Sequence, residues 1–147
     1  MMITKYLISM LEQLHVMTAF LYGEMKRTVF CAVPKGAEVD EDFDFSELMK
    51  AIYGLKQASR VWSDTFHDFV CSIGFQASDF DPCLDLKVES GQCVQLLVYV
   101  DNVLAMGSST EMIVITKGDL KMRSEITDSG KRAFVLGIEL CTTSAVV

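Results

Sequence analysis

Val94-Gln95-Leu96-Leu97-Val98-Tyr99-Val100-Asp101-Asn102-Val103-Leu104-Ala105-Met106-Gly107 decides how this chain is read. Apolar and β-branched residues fill both flanks, and a short acidic pair interrupts them. That pattern predicts two strands joined by a tight turn, with Asp101-Asn102 at the tip. Asp and Asn both tolerate left-handed backbone, so taken alone the pair is an ordinary hairpin turn.

Outward from the hairpin, the helical signal is strongest upstream. Val61, Trp62, Phe66, Phe69, Val70 and Ile73 recur at spacings of three and four from Ala58 to Gly74, predicting an amphipathic helix with those residues in the core. Phe75 to Ser78 and Cys83 to Val88 read as short strands, with a turn at Ser90-Gly91. Downstream, Ser108-Ser109-Thr110 caps a helix from Glu111 to about Glu125, and Arg132 to Leu140 is a last strand. At the N-terminal end, residues 2–12 suit a helix and Leu14 to Met17 a short strand. Thr18 to Glu24 reads as a turn or helical start, and Thr28 to Val33 as a strand before the Pro34-Lys35-Gly36 turn. Residues 38–44 form an acidic, solvated loop, and Phe45 to Ile52 begins as strand or turn before Gly54 breaks it. The order predicts an α+β domain: one antiparallel sheet with helices on one face, spanning 1–147 as a single unit.

Composition narrows the class. Half of the 147 residues are hydrophobic, which excludes disorder as a global description. The apolar runs are far shorter than the roughly 20 residues of a membrane span, and the start lacks the pattern of a signal peptide. Five cysteines (Cys31, Cys71, Cys83, Cys93 and Cys141) stand at wide spacings with no Cys-x-x-Cys, which points to reduced buried thiols in an intracellular chain rather than a zinc or disulfide framework. The formal net charge of −7, with 13 basic residues, argues against unaided binding to nucleic acid, because that binding draws on Lys and Arg neutralising phosphates.

Five strings in order carry a family resemblance: Thr18-Ala-Phe-Leu-Tyr-Gly-Glu24, Tyr53-Gly-Leu-Lys-Gln-Ala-Ser-Arg-Val-Trp62, Gly74-Phe75 with Asp81-Pro-Cys-Leu84, Leu97-Val-Tyr-Val-Asp-Asn102 and Leu136-Gly-Ile-Glu139. Together, from about Leu11 to Leu140, they resemble the reverse transcriptase domain of copia-type LTR retrotransposons. The resemblance implies a polymerase palm, an RNA template, a DNA primer, a deoxynucleoside triphosphate, and Mg²⁺ held by three aspartates. Residues 136–147 then begin the connection toward the thumb, and most of the fingers and thumb are expected to be missing.

The departures fall on the chemistry. His15 stands where the family's first metal-binding aspartate belongs, and Asn102 replaces the second aspartate of the hairpin, leaving Asp101. Ser59 replaces a proline and Tyr22 an asparagine. Each change is one base substitution from the family codon, the pattern of a degenerate copy. By the resemblance, Gln57, Arg60 and Tyr99 lie beside nucleotide and template; a local ion pair is the plainer role for Arg60. Imidazole is a poor magnesium ligand and an amide adds no charge, so Mg²⁺ is expected to bind weakly or not at all at Asp101. A manganese or zinc site on His15 and Asp101 lacks a third ligand.

The resulting expectation is a transposable-element nucleotidyltransferase by ancestry, an RNA-directed DNA polymerase that is catalytically inactive, with weak or no nucleic acid binding and no membrane association. Apolar surface left bare by missing fingers and thumb favours self-association. The alternative is a co-opted, non-catalytic module that binds protein or nucleic acid. A third possibility is that the reading frame makes no stable protein.

Overall fold

The structure is a computed structural model that describes residues 10–37 and 44–131, and the backbone of 134–135 and 138–139. Its centre is a six-stranded antiparallel sheet. The strands are β1 (Met10–Val16), β4 (Gln76–Ala77), β5 (Leu84–Glu89), β6 (Gln92–Tyr99), β7 (Asn102–Gly107) and β8 (Ile126–Gly130), in the spatial order β4-β5-β6-β7-β1-β8. Two further strands, β2 (Phe30–Ala32) and β3 (Phe45–Glu47), pair as a separate ribbon. A last pair, β9 (Phe134–Val135) and β10 (Ile138–Glu139), does the same.

Alternation along the strands gives the sheet two unlike faces. Leu14 and Val16 of β1, Val103 and Ala105 of β7, and Val94 and Leu96 of β6 are fully buried and lie together on one face. Against it pack the helices α1 (Ala58–Ser72), through Trp62, Phe66 and Val70, and α2 (Thr110–Arg123), through Ile113 and Leu120. Burying a side chain of this kind stabilises the fold by about 1.5–3 kcal/mol, so this face sets the register of β1, β6 and β7. Where its edges turn polar, partners appear: Lys117 of α2 pairs with Glu12 of β1 and, at 2.6 Å, with Asp128 of β8. The opposite face carries Gln13, His15, Asn102 and Tyr99, all at least partly exposed.

α1 stands where the periodicity puts it and α2 where the cap does, with Ser109 accepting from the Met112 N–H at 3.4 Å. Four expectations of secondary structure are corrected. Residues 10–12 are strand, not helix, and 2–9 lie outside the described residues. β1 is hydrogen-bonded on both sides, by β7 and β8, and burial of Leu14 and Val16 overrides the helical preference of Met, Leu, Glu and Gln. β8 was not foreseen, since Ile126-Thr-Asp-Ser-Gly130 reads as turn chemistry and becomes strand only by pairing with β1. The final strand divides into β9 and β10, which pair with each other.

The turn of the central hairpin is the fourth correction. Its two loop residues are Val100 and Asp101, while Asn102 is already the first residue of β7, paired with Tyr99. The left-handed residue is Val100 at φ 54°, not the Asp-Asn pair. Of the acidic loop, 38–43 lie outside the described residues, as do 136–137 and 140–147 of the segment assigned to the thumb connection. Cysteine burial also differs: Cys93 is buried, Cys31 intermediate, and Cys71 and Cys83 exposed, all as free thiols.

Candidate active site

The three positions that the resemblance aligns with metal-binding aspartates, the intact Asp101 and the altered Asn102 and His15, come together. In the antiparallel register Tyr99 lies opposite Asn102, Asn102 opposite His15, and His15 opposite Thr127, so one row crosses β6, β7, β1 and β8 on the open face. Asp101 projects from the turn at the end of that row. Its carboxylate oxygen lies 3.9 Å from His15 Nδ1, with the two side chains 27% and 40% exposed. The backbone fixes the turn against β1, since the Val16 N–H donates to the Asp101 carbonyl at 2.7 Å.

A hydrogen-bonded chain occupies this corner. Gln13 Nε2 donates to Asn102 Oδ1 at 2.8 Å, and Asn102 Nδ2 donates to Asp101 Oδ1 at 2.8 Å. Gln13 was missed in the sequence, although its position two residues before His15 on a strand places both on one face. Helix α1 reaches the same turn from the covered side, where the Trp62 indole N–H donates to the Val100 carbonyl. That contact holds Val100 in its left-handed conformation, which a β-branched residue adopts only under constraint.

Gln57 and Arg60 lie at the start of α1, and both are exposed. Arg60 Nε pairs with Asp64 at 3.2 Å, one helical turn on, so its present partner is local. Tyr99 is 58% exposed at the end of the cross-strand row. Tyr22, at the family's asparagine position, accepts the Glu125 N–H at 2.8 Å and joins the 3₁₀ turn Ala19–Tyr22 to the end of α2. Among the described residues there is no group of three or more His, Cys, Asp or Glu side chains able to hold a metal ion.

The hairpin and its neighbouring strand β1 thus bring the altered motif positions to one corner. The chain belongs to the reverse transcriptase (RNA-dependent DNA polymerase) family, whose profile matches residues 3–147. It is 35% identical over 131 residues to the retrovirus-related Pol polyprotein from transposon TNT 1-94 of Nicotiana tabacum, covering 88% of this chain and 10% of that protein. The corresponding polyprotein from transposon RE1 of Arabidopsis thaliana is 34% identical over 130 residues, 88% of this chain and 9% of the relative. The copia-type assignment made on the motifs therefore stands, for a chain that spans about a tenth of these relatives' length. No solved structure matches the chain. Among the described residues no helix is long and apolar enough to cross a membrane.

Proposed function

We propose that this chain is the palm segment of a copia-type reverse transcriptase whose metal site no longer supports nucleotide addition. The observation that carries the proposal is the Gln13–Asn102–Asp101 hydrogen-bonded chain beside His15. Magnesium takes hard oxygen ligands in near-octahedral geometry. This corner offers one carboxylate, Asp101, with one oxygen already accepting from Asn102. The amide oxygen of Asn102 is taken by Gln13. His15 presents a nitrogen, and if protonated it repels a cation. The residues present do not fit the family's magnesium pair, and no catalytic step is assigned to them.

What remains suits binding rather than chemistry. Tyr99 and the row behind it form the open face on which, in this reading, primer and template would lie. The acidic balance of the chain opposes strong contact with phosphates.

Primer extension on an RNA template tests the proposal, comparing the unaltered chain with a His15→Asp, Asn102→Asp double variant after both are shown to fold. Silence in the unaltered chain and extension by the variant is the expected outcome. Extension by the unaltered chain overturns it. Silence in both moves the lesion away from these two positions.

A second reading, self-association or protein binding through the β2–β3 ribbon, is favoured by one specific feature. Phe30 and Phe45 share one face of that ribbon and are each 64% exposed, with Met49 nearby in sequence 73% exposed. Light scattering of the purified chain separates a monomer from an oligomer.

A further inference from the structure

Helix α2 carries more apolar surface than the sheet covers. Its inner side, with Ile113, Thr116 and Leu120, is buried. On the outer side of the same helix, Val114, Ile115 and Met122 are between 55% and 88% exposed, and Gly118 is exposed among them. Positions 111, 114, 115, 118 and 122 follow the helical repeat, so they form one outward stripe. Apolar residues on both sides are the pattern of a buried helix, not of one whose outer side meets water. The two ends of the stripe are charged in opposite senses. Glu111 stands in the first turn and Lys121 in the last, and both are exposed.

We propose that this stripe is the contact between two copies of the chain, packed α2 against α2, antiparallel, about a twofold axis. Charge decides the direction. In an antiparallel pair centred between Ile115 and Gly118, Glu111 of each copy lies beside Lys121 of the other. Val114 and Ile115 then meet Gly118 and Met122 across the contact, and the twofold axis repeats every pair. A parallel pair would set Glu111 on Glu111 and Lys121 on Lys121 and would align the two helix dipoles, so both effects oppose it.

Gly118 sets how near the helices come. A Cβ built there meets nothing within 4 Å in its own chain, so packing does not call for glycine. Glycine inside a helix costs about 1 kcal/mol relative to alanine, and here it leaves a flat place where a second backbone can approach. Because α2 lies on the covered face of the sheet, the pair stacks as sheet, helix, helix, sheet. The row of His15, Asn102 and Tyr99 is on the opposite face, so both open faces point away from the contact. The proposal is therefore independent of the reading of the Asp101 corner, and it uses a different surface from the β2–β3 ribbon. Fourteen residues make a helix of about 21 Å. That is less than a standard interface needs, so the dimer is expected to be weak, with a Kd of about 10–100 μM.

Sedimentation equilibrium of the full chain, from about 1 μM to about 500 μM, tests this. Monomer at the low end and dimer at the high end are expected. Gly118→Gln places a better helix former on the stripe, so its melting temperature is expected to hold or rise while association weakens at least about tenfold. That combination separates a built contact from the stickiness of a partly unfolded chain. Glu111→Lys and Lys121→Glu, each checked for folding by circular dichroism, are expected to weaken association at least about fivefold. An equimolar mixture of the two is expected to associate like the unaltered chain, because every cross-pair is again of opposite sign. A monomer at every concentration, or a polydisperse aggregate, overturns the proposal. So does a dimer that survives Gly118→Gln; if Phe30→Ser abolishes that dimer, the contact lies on the ribbon instead. A mixture of the charge variants no tighter than either alone overturns the antiparallel arrangement.

Discussion

Replacing Asn102 by Asp removes the donor that now joins the hairpin turn to Asp101 and sets a second carboxylate in its place. The present Asn102 Nδ2 to Asp101 Oδ1 contact is 2.8 Å, and Asp101 is about one quarter exposed. Two unit charges about 4 Å apart at an effective dielectric of about 20 repel by about 4 kcal/mol. Side-chain rotation and screening by solvent halve this, to about 2 kcal/mol. For a chain of this size that is a fall of about 6 °C in melting temperature. A divalent cation between the carboxylates would offset the repulsion, so 10 mM Mg²⁺ is expected to recover most of the loss in Asn102→Asp. The unaltered chain, with one carboxylate in the corner, is expected to melt at the same temperature in EDTA and in Mg²⁺. Thermal melts followed by circular dichroism give all four values. The reasoning is refuted if the unaltered chain gains as much from Mg²⁺ as the variant, or if the variant melts in EDTA where the unaltered chain does.

Lys117→Met leaves Glu12 and Asp128 facing each other without their shared cation, and a loss of about 2–3 kcal/mol is expected in urea titrations at pH 7. Burial pushes the Asp128 carboxyl up, but hydrogen bonds from Lys117, Gly130 and Lys121 hold it below its usual value. A lowered folded value gives stability that is present above about pH 4 and lost as pH falls through it. The gap between unaltered chain and variant should therefore shrink from pH 7 to pH 3, and a constant gap would show that the carboxylate–lysine contact is not its source. Val100→Gly relieves a β-branched residue at φ 54° and is expected to raise the urea midpoint by an amount worth about 1 kcal/mol; an unchanged or lower midpoint would show that packing of the valine against the core outweighs the strain.

How much of this was legible in the sequence depends on which force set each element. α1 was plain because the Trp62, Phe66 and Val70 stripe is both the local pattern and the buried face. The central hairpin was plain for the same reason, but its turn was read one residue late. Asp-Asn has the right local chemistry for the tip, yet pairing of Tyr99 with Asn102 puts the burden on Val100, which the Trp62 indole holds from across the core. β1 and β8 were misread or missed because their strand character comes from pairing partners nearly 90 residues or more away, not from propensity. At the site, family motifs led to His15, Asp101 and Asn102. Gln13 stands in the same family segment as His15 but gains a role only once the register is known, and the motifs are silent on Thr127. The one-turn spacing of His67 and Cys71 went unread, and nothing in sequence brings Asp85 to them.

If the chemistry is lost as proposed, the placement of His15 and Asn102 explains how the fold can stay. His15 alternates with Leu14 and Val16 along β1, and Asn102 precedes Val103 on β7; the three apolar neighbours are fully buried and the two altered residues are not. Replacing an aspartate by histidine or asparagine on the open face leaves the covered face, and so most of the burial energy, untouched. It also removes a cost. Three carboxylates in one corner repel unless a cation is present, whereas Asn102 can donate to Asp101 and accept from Gln13 at once. Here the corner is tied by the side-chain amides of Gln13 and Asn102. On the proposed reading, exchanging carboxylates for His15 and Asn102 is therefore neutral or favourable for stability, and selection for a folded chain would not oppose it.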